Sequence, residues 1–436
     1  MEILAIILFL SIFILILYGY PVAFTLGGIS MIYAICFLDL ASFSALPPRI
    51  MGVMSNYVLL AVPLFIYMGI MLEKSGLAES LLETMAILFG KVKGGLAVSV
   101  VIVGALLAAS TGIVGATVIT MGLISLPTML KRGYRPELAT GTIAASGTLG
   151  QIIPPSVVLV LLGSVLNVSV GDLFAAALLP GILLVAFYVL YIIITAKLNP
   201  AGAPSMPPEE IAAFKQGNFT MKVIKAFVLP MSLIVAVLGS IFAGLASPTE
   251  AAAVGAMGAT ILTILQKKFD MEVLKAVMRE TTHLTSMVFI ILLGATTFTF
   301  VFREMNGDDY LVSLIRDAQL SATAFLILVM VVVFIAGFFI DFIEIVFIIV
   351  PVVAPIFVEL EVNLVWIGVL LALNLQTSFL SPPFGFSLFY LKGVAPPEIT
   401  TQHLYRGIIP FVLIQLIFLL LVIFFPDIIF FVPTSD

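Results

Sequence analysis

Apolar segments long enough to cross a lipid bilayer run through most of this 436-residue chain. A spanning helix needs about 20 apolar residues. Because 62% of the residues are hydrophobic and only 10% are charged, the composition excludes a soluble enzyme, a disordered protein and a nucleic-acid-binding protein. We therefore expect an all-α polytopic membrane protein, with candidate spans at 3–19, 21–38, 56–72, 138–166, 172–196, 223–243, 248–266, 283–302, 365–391 and 408–426.

Residues that commonly carry enzyme chemistry are scarce in this chain. It has one cysteine, Cys36, and two histidines, His283 and His403, that lie far apart in the sequence. These counts exclude an internal disulfide and a cysteine-based metal cluster. A P-loop for ATP hydrolysis and a zinc-binding histidine pair are missing from the sequence as well. Since the first apolar segment follows Glu2 and no basic residue, we interpret it as a retained helix and not as a signal peptide.

Two further apolar regions, 95–130 and 321–357, have polar residues near their middle, and we interpret both as helical hairpins. The limb 95–109 would be about 22 Å long at 1.5 Å per residue. That is shorter than the ~30 Å hydrocarbon core, so the first hairpin is expected to be re-entrant. The limb 321–340 is long enough to span, which leaves re-entrance of the second hairpin open. The interruptions lie at Ser110, Thr111 and Gly112 in the first region and from Asp341 to Glu344 in the second.

A proline pattern divides the chain into two repeats. The polar, proline-rich segment 198–222 is expected to be a linker between residues 1–197 and 223–436. Four prolines of the first part recur in the second at nearly equal separations and in matching hydropathy contexts, although chance is an alternative because the chain has 24 prolines. The pairs are Pro21 with Pro248, Pro127 with Pro355, Pro154 with Pro382, and Pro180 with Pro410.

The predicted topology makes the second repeat inverted relative to the first. Each half has five crossings and one hairpin, and an odd number of crossings turns the second half over. Lys and Arg prefer cytoplasmic loops, and this topology puts all but three of the 19 Lys and Arg residues on one side. The exceptions are Arg49, Arg303 and Arg316. Both termini are therefore predicted to lie outside.

Each half also contains one helix broken by a proline doublet, Pro154-Pro155 within 138–166 and Pro382-Pro383 within 365–391. Proline has no N–H and clashes with the carbonyl four residues back. The carbonyls expected to lose their helical donors are those of Gly150, Gln151, Ser378 and Phe379. Such groups need another partner in lipid, and oxygen ligands suit a hard cation such as Na⁺. A kink satisfied by a neighbouring Ser or Thr hydroxyl is the alternative.

Several charged and amphipathic features have more than one interpretation. Asp341 and Glu344 form either a functional site in the membrane or a hydrated hairpin tip. Glu250 starts a span, where an acid stabilises the helix dipole. Arg303 can bind a substrate carboxylate, or pair with a neighbouring acid such as Asp308 or a lipid headgroup. The amphipathic stretches 77–88 and 271–278 are interpreted as interfacial helices lying flat on the membrane, with solvated connectors as the alternative.

Five motifs together resemble the large membrane subunit of the tripartite ATP-independent periplasmic (TRAP) transporters. They are GTLGQIIPPS, SVGDLFAAALLPG, SPTEAAAVGA, FIDFIEIVFIIVPVVAP and SFLSPPFGFSLFYLKGV. The resemblance covers essentially the whole chain. It implies an elevator-type ion transporter fold similar to the divalent anion–sodium symporters, in which hairpins and broken helices move against the outer helices. It also implies Na⁺-coupled import of small organic acids, such as C4-dicarboxylates, 2-oxo acids or hydroxy acids.

The resemblance implies specific site residues. The implied Na⁺ ligands are Ser110, Thr111, Gly112, Gly147, Gly150, Ile152 and Pro154 in the first half, and Asp341, Gln376, Thr377, Ser381 and Pro382 in the second half. The candidate substrate-binding residues are Ser110, Thr111, Ser156, Ser169, Arg303, Asp341 and Gly385. The chain departs from the family pattern in three places. Many relatives have glycine at Ser378, threonine at Ser381, and a small or apolar residue at Glu344.

The implied partners are a small four-helix TRAP membrane subunit, a periplasmic substrate-binding protein, membrane lipid and a small organic acid, with no nucleic acid. No cofactor is expected besides Na⁺ as the coupling ion. The expected location is the cytoplasmic (inner) membrane of a bacterium or archaeon. A stand-alone Na⁺/carboxylate symporter is the main alternative. A channel, or an intramembrane enzyme using Asp341 and Glu344, fits the sequence less well, and we do not expect an enzyme.

Overall fold

The computed structural model describes residues 2–39, 41–112, 114–215 and 219–430. These residues form 22 α-helices connected by short 3₁₀ turns, one π-helical segment (Ile224–Val228) and loops, and none of them lies in a β-strand. The helices before the linker are α1 (Glu2–Leu17), α2 (Val22–Phe37), α3 (Leu46–Met54), α4 (Ala61–Lys74), α5 (Leu77–Leu88), α6 (Gly95–Thr111), α7 (Val114–Lys131), α8 (Pro136–Thr148), α9 (Val157–Leu166) and α10 (Val170–Leu198). The later helices are α11 (Pro208–Lys215), α12 (Phe219–Val223), α13 (Leu229–Phe242), α14 (Pro248–Leu265), α15 (Met271–Glu304), α16 (Gly307–Asp317), α17 (Ala322–Ala336), α18 (Phe342–Ile348), α19 (Val350–Glu359), α20 (Leu364–Leu380), α21 (Phe386–Val394) and α22 (Thr401–Phe424).

The helix lengths fit a multi-pass membrane protein. Within the described ranges, seven helices are long and apolar enough to cross a membrane, and α18 with α19, bent by 49°, forms an eighth candidate. Six other apolar helices have 10 to 17 residues. The all-α membrane fold expected from the hydropathy is therefore confirmed. The number of crossings in each half stays a prediction.

Both proline doublets interrupt a helix where the sequence predicted. In the first half α8 ends at Thr148 and α9 begins at Val157, with a 3₁₀ turn and an extended segment between them. In the second half α20 ends at Leu380 and α21 begins at Phe386. Each doublet contains a cis peptide bond. The expected broken helices at 138–166 and 365–391 are confirmed within a few residues.

The two hairpins differ from each other more than the sequence suggested. The first turns at Gly112, whose φ of 61° is in the left-handed region that favours glycine. In the second, α17 ends at Ala336 after 15 residues, about 22 Å. The expectation that the limb 321–340 is long enough to span is therefore wrong. The chain continues from Gly337 to Ile340 as turns, in which the Phe338 and Phe339 N–H groups donate three residues back, to Ile335 and Ala336.

Of the two amphipathic stretches, only 77–88 forms a separate helix, α5, and its position at the membrane interface stays a prediction. Leu81, Leu82 and Met85 of α5 are at most 4% exposed, because α5 packs against α6. Residues 271–278 form the first two turns of α15, a continuous helix of 34 residues. The middle of the apolar face of α5 is thus covered by protein, whereas Leu88 at its end is exposed. The segment 271–278 extends a candidate spanning helix.

The two halves pack against each other reciprocally. Helix α2 packs against α15 and α14 packs against α4, so each half covers a long helix of the other. Likewise α7 packs against α21, whereas α18 and α19 pack against α9. If the halves are related by a two-fold axis, each contact from the first half to the second must recur from the second half to the first, as these pairs do. The inverted orientation and the boundaries at 197 and 223 stay predictions.

Helix α14 begins with a capping box formed by Ser247 and Glu250. Ser247 Oγ accepts from the Glu250 N–H at 3.3 Å, and Glu250 Oε2 accepts from the Ser247 N–H at 2.8 Å. The capping role expected for Glu250 is confirmed.

Ser247→Ala is expected to lower the free energy of unfolding by about 1 kcal/mol, because one N-terminal amide loses its acceptor. Thermal unfolding in detergent measures the change. The matched control is Ser232→Ala on α13, where the hydroxyl bonds only the Leu229 carbonyl of its own helix. Equal melting temperatures for the two variants would contradict the capping role.

Candidate functional site

The tip of the first hairpin lies against the first broken helix. Helix α6 packs along α8 and the 3₁₀ turn that follows it, and α7 packs along the other side of α8. A Cβ at Gly112 would lie 2.9 Å from Val157 Cγ2, at the start of α9. The hairpin tip therefore reaches the point where the broken helix resumes.

Two glycines allow the first hairpin to pack closely against the first broken helix. A Cβ at Gly150 would lie only 2.1 Å from the carbonyl oxygen of Ala108 on α6. A Cβ at Gly147 would lie 2.4 Å from Val118 Cγ2 on α7. Real Cβ atoms do not approach neighbours this closely, so only glycine allows both limbs of the hairpin to contact the broken helix.

The second half makes a similar contact, but here the glycine lies on the hairpin and not on the broken helix. A Cβ at Gly337, after α17, would lie 2.1 Å from Ser378 Oγ on α20. Ser378 precedes Pro382 by the same spacing with which Gly150 precedes Pro154, so the two occupy matching places in the repeats. The serine at position 378 is thus accommodated by a glycine on the hairpin.

Three of the four carbonyls that the proline doublets were expected to leave without a donor accept a hydrogen bond from a serine residue. Ser156 Oγ donates to the Gln151 carbonyl at 2.9 Å, and Ser387 Oγ donates to the Phe379 carbonyl at 3.1 Å. The Ser381 N–H donates to the Ser378 carbonyl at 3.1 Å. The prediction of carbonyls without donors is therefore wrong for these three. Each carbonyl oxygen has a second lone pair, so it can still bind a cation.

Two glutamine side chains beside the breaks are buried without partners. Gln151 and Gln376 are 0% exposed, and in the described part of the chain their amide oxygens and nitrogens lack hydrogen bonds. Leaving one buried polar group unpaired costs about 1–3 kcal/mol, so such groups indicate a ligand site. Gln151 was not among the predicted site residues. The available signal was a polar side chain inside an apolar helix, just before the doublet.

Asp341 and Glu344 have different roles at the tip of the second hairpin. Asp341 caps α18, and Glu344 Oε2 accepts from the Asp341 N–H at 3.3 Å, which completes a capping box. Asp341 Oδ1 is buried, and the described residues supply it with no hydrogen bond. Glu344 thus has a structural role at this helix start, whereas Asp341 keeps one oxygen for a ligand.

The remaining second-half candidates surround the same break. Thr377 Oγ1 donates to the Leu373 carbonyl at 2.7 Å and Ser381 Oγ to the Thr377 carbonyl at 2.8 Å, so both keep oxygen lone pairs. Pro382 lies in the loop, and Gly385 precedes α21 with a φ of 35°.

In the first half, Ile152, Pro154 and Ser156 lie in the break, where Ser156 caps α9. Ser110 and Thr111 form the last turn of α6. Their side chains lie outside the part of the chain that the structure describes. The backbone of this hairpin tip lies beside Val157 at the start of α9, and the roles of Ser110 and Thr111 stay predictions.

Two predicted substrate residues lie away from the tips. Ser169 caps α10, and helix α9, about 15 Å long, separates it from the first break. Arg303 ends α15, and its Nε lies 2.9 Å from Asp308 Oδ2. The alternative in which Arg303 pairs with a neighbouring acid is therefore the observed one. Burial raises the pKa of Asp308, while the Arg303 charge opposes that rise.

Comparisons with known proteins give one consistent answer. Residues 9–428 match the family model "Tripartite ATP-independent periplasmic transporter, DctM component". A C4-dicarboxylate TRAP transporter large permease protein from Vibrio cholerae is 28% identical over 98% of this chain and 97% of its own length. One from Pseudomonas aeruginosa is 30% identical over 92% and 91%. Other relatives of this kind are named for ectoine and for sialic acid.

A solved structure is similar in fold. The chain superposes on the YdaH transporter of Alcanivorax borkumensis with a TM-score of 0.63 at 13% identity, over 92% of this chain and 95% of that one. At this identity the similarity concerns the fold alone. The two chains share a fold along nearly their whole length.

Proposed function

Because the chain belongs to the tripartite ATP-independent periplasmic transporter family, as its DctM component, we propose that it is the large permease subunit of a Na⁺-coupled importer of small organic acids. A periplasmic binding protein delivers the acid, and a small membrane subunit completes the permease. The complex works in the bacterial inner membrane with both termini of this chain outside. It transports its substrate without chemical conversion.

The observation that carries this proposal is the meeting of hairpin tips and broken helices around buried, unpartnered polar groups. The side chains of Gln151 and Gln376 and the Oδ1 atom of Asp341 lack hydrogen-bond partners among the described residues. Cations bind oxygen ligands of this kind inside secondary transporters, near interrupted helices. Na⁺ would supply the missing partner for both amide oxygens and for the Asp341 carboxylate.

The proposed ligand set follows the two breaks. In the first half it comprises the hairpin tip at Ser110 to Gly112, Gly147 near the end of α8, and the break that contains Gly150, Ile152 and Pro154. In the second half it comprises Asp341, Gln376, Thr377, Ser381 and Pro382. The serine hydrogen bonds hold the carbonyls of both loops in place before a cation arrives. The substrate lies between the tips, where Ser156 and Gly385 start the next helices.

The proposed movement is a sliding of hairpins and broken helices against α2, α4, α14 and α15. Two side-chain hydrogen bonds join α4 and the turn before it to the moving part. Asn56 Nδ2 donates to Ser164 Oγ at 3.3 Å, and Thr120 Oγ1 donates to Glu73 Oε1 at 2.8 Å. They lie near opposite ends of α4. Each must break when the moving part slides, so both belong to one conformation.

The substrate class is proposed from the relatives. Their names specify C4-dicarboxylates, ectoine and sialic acid, all of which carry a carboxylate. We therefore propose a small carboxylate, and the choice among them depends on the binding protein as well as on this chain.

Uptake into proteoliposomes tests the function. The chain and its small subunit are reconstituted, and labelled organic acids are supplied with and without a Na⁺ gradient and the binding protein. Uptake that needs both supports the proposal. Uptake that needs Na⁺ alone would favour a stand-alone symporter. Uptake that is indifferent to Na⁺ would refute the coupling.

Asp341→Asn is expected to lower Na⁺-dependent uptake at least tenfold, or about 1.4 kcal/mol. Asparagine caps helices as well as aspartate does, so a loss would report the missing charge and not the missing cap. Asp317→Asn, at the exposed end of α16, is the matched control. An unchanged Na⁺ dependence in Asp341→Asn would rule out Asp341 as a ligand.

A further inference from the structure

A cavity of about 610 Å³ lies away from the hairpin tips, between helices proposed to be fixed and helices proposed to move. We call it the arginine vestibule. Its fixed wall is formed by α3, the following turn and α15, and includes Arg49, Asn56, Thr299 and Arg303. Its moving wall is formed by the end of α9 and by α18 and α19, and includes Ser164, Asn167, Phe347 and Pro351.

The lining of the vestibule is positively charged. Of the described residues that form it, two carry a guanidinium group and none carries a carboxylate, in a chain whose net charge is −5. Asp308 partly neutralises Arg303. Arg49 is exposed and lies 5.2 Å from the Phe300 ring centroid. Among the described residues it forms no ion pair. Arg49 is therefore the cation in this cavity that is available to an incoming anion.

The position of the vestibule connects it to the proposed site. Helix α9 runs from Asn167 in the vestibule to Ser156 at the first break, about 15 Å away. The charge distribution of the sequence puts Arg49 and Arg303 on the side opposite the lysine-rich loops. A cleft lined by one sign of charge concentrates ions of the other sign. The vestibule is thus suited to receive an anion before it reaches the hairpin tips.

We propose that the arginine vestibule binds the carboxylate of the transported acid on its way to the hairpin tips, with Arg49 as its principal partner. This inference deepens the proposed function and rests on it for the identity of the anion. A guanidinium can bind a carboxylate through two parallel hydrogen bonds. The amides of Asn56 and Asn167 and the hydroxyl of Thr299 supply further polar contacts around it. Because one wall of the vestibule is fixed and the other moves, sliding of the moving wall would change the shape of the vestibule and release the acid.

Cysteine accessibility tests the charge of the vestibule without transport. The native Cys36 is exposed, so Cys36→Ser provides the background. Thr299→Cys then places a thiol on the vestibule wall, one turn before Arg303. Its modification rates by an anionic and a cationic methanethiosulfonate are compared in purified protein. Arg49→Gln is expected to lower the anionic-to-cationic rate ratio about fivefold, whereas Arg49→Lys keeps it. Ser313→Cys on α16, outside the vestibule, is the control and should not respond to Arg49→Gln.

Ligand protection tests the carboxylate. Succinate is expected to slow modification of Thr299→Cys at least threefold, and sulfate at equal ionic strength is not. In proteoliposomes, Arg49→Gln is expected to raise the KM for uptake about tenfold while the affinity for the binding protein is unchanged. The pattern separates a small-molecule site from a surface that binds protein.

Three results decide the inference. An unchanged rate ratio in Arg49→Gln would overturn it. A lowered ratio without succinate protection, together with weaker association of the binding protein, would also overturn it, since the arginines would then serve protein docking. A lowered ratio with succinate protection, in a protein whose uptake ignores Na⁺, would support the vestibule and reject only the proposed coupling.

Discussion

Gly150→Ala is expected to reduce Na⁺-dependent uptake at least 100-fold while the protein still inserts into the membrane. The added Cβ would lie 2.1 Å from the Ala108 carbonyl oxygen. That atom belongs to the backbone of α6 and cannot rotate away, so α6 and the 3₁₀ turn after α8 must move apart. A displacement of about 1 Å at a binding site can cost about 100-fold in rate.

The measurement is the initial rate of uptake in proteoliposomes, normalised to the amount of monodisperse protein. Gly239→Ala on α13 is the matched control, because nothing lies within 4 Å of a Cβ at that position. Alanine also has the higher helix propensity, by about 1 kcal/mol, so the control should be as stable as the wild type. Wild-type uptake by Gly150→Ala would refute the placement of the first site.

Gly337→Ala is expected to be equally damaging, and Ser378→Gly is expected to rescue it. An alanine Cβ at position 337 would lie 2.1 Å from Ser378 Oγ and 2.7 Å from Ser378 Cβ. Removing the serine side chain removes both clashes. The double variant then has an alanine on the hairpin and a glycine on the broken helix, as the first half has at Ala108 and Gly150.

Thermal unfolding and uptake of the single and double variants measure this coupling. We expect an interaction free energy of about 1.5 kcal/mol or more, since residues in contact commonly couple by ~0.5–3 kcal/mol. Ser378→Gly alone should lose little, because it only opens space beside Gly337. Strictly additive effects would mean that the two residues are not in contact, and would contradict the arrangement of the second hairpin.

The sequence predicted the features that local steric effects determine. Proline doublets break helices through their own ring and missing N–H, so the breaks after Thr148 and Leu380 lay where expected. Gly112 ends α6 for a similarly local reason, and Ser247 with Glu250 forms a cap within a single helical turn. Such effects depend on neighbours in the chain and are visible before the chain is folded.

Features that depend on distant residues were missed or misplaced. Gly337, after α17, lies close to Ser378, which is three helices further along the chain on α20, and the burial of α5 depends on α6. Ser169 and Arg303 were candidate substrate residues, yet α9 separates Ser169 from the first break and Arg303 pairs with Asp308. The Gln151 side chain was not predicted as a site residue, because its burial without a hydrogen-bond partner depends on how the surrounding helices pack.

The exchange of helices between the halves has a consequence for biosynthesis. Gly115 and Gly122 of α7 lie against Tyr390 and Leu391 of α21, and more than half of the chain separates the two helices in the sequence. At about 5–20 residues per second, the ribosome needs on the order of tens of seconds to make α21 after α7 has left it. During that time the first hairpin has entered the membrane without its permanent neighbour. The N-terminal half of the chain therefore stays incompletely packed until the C-terminal half has been translated.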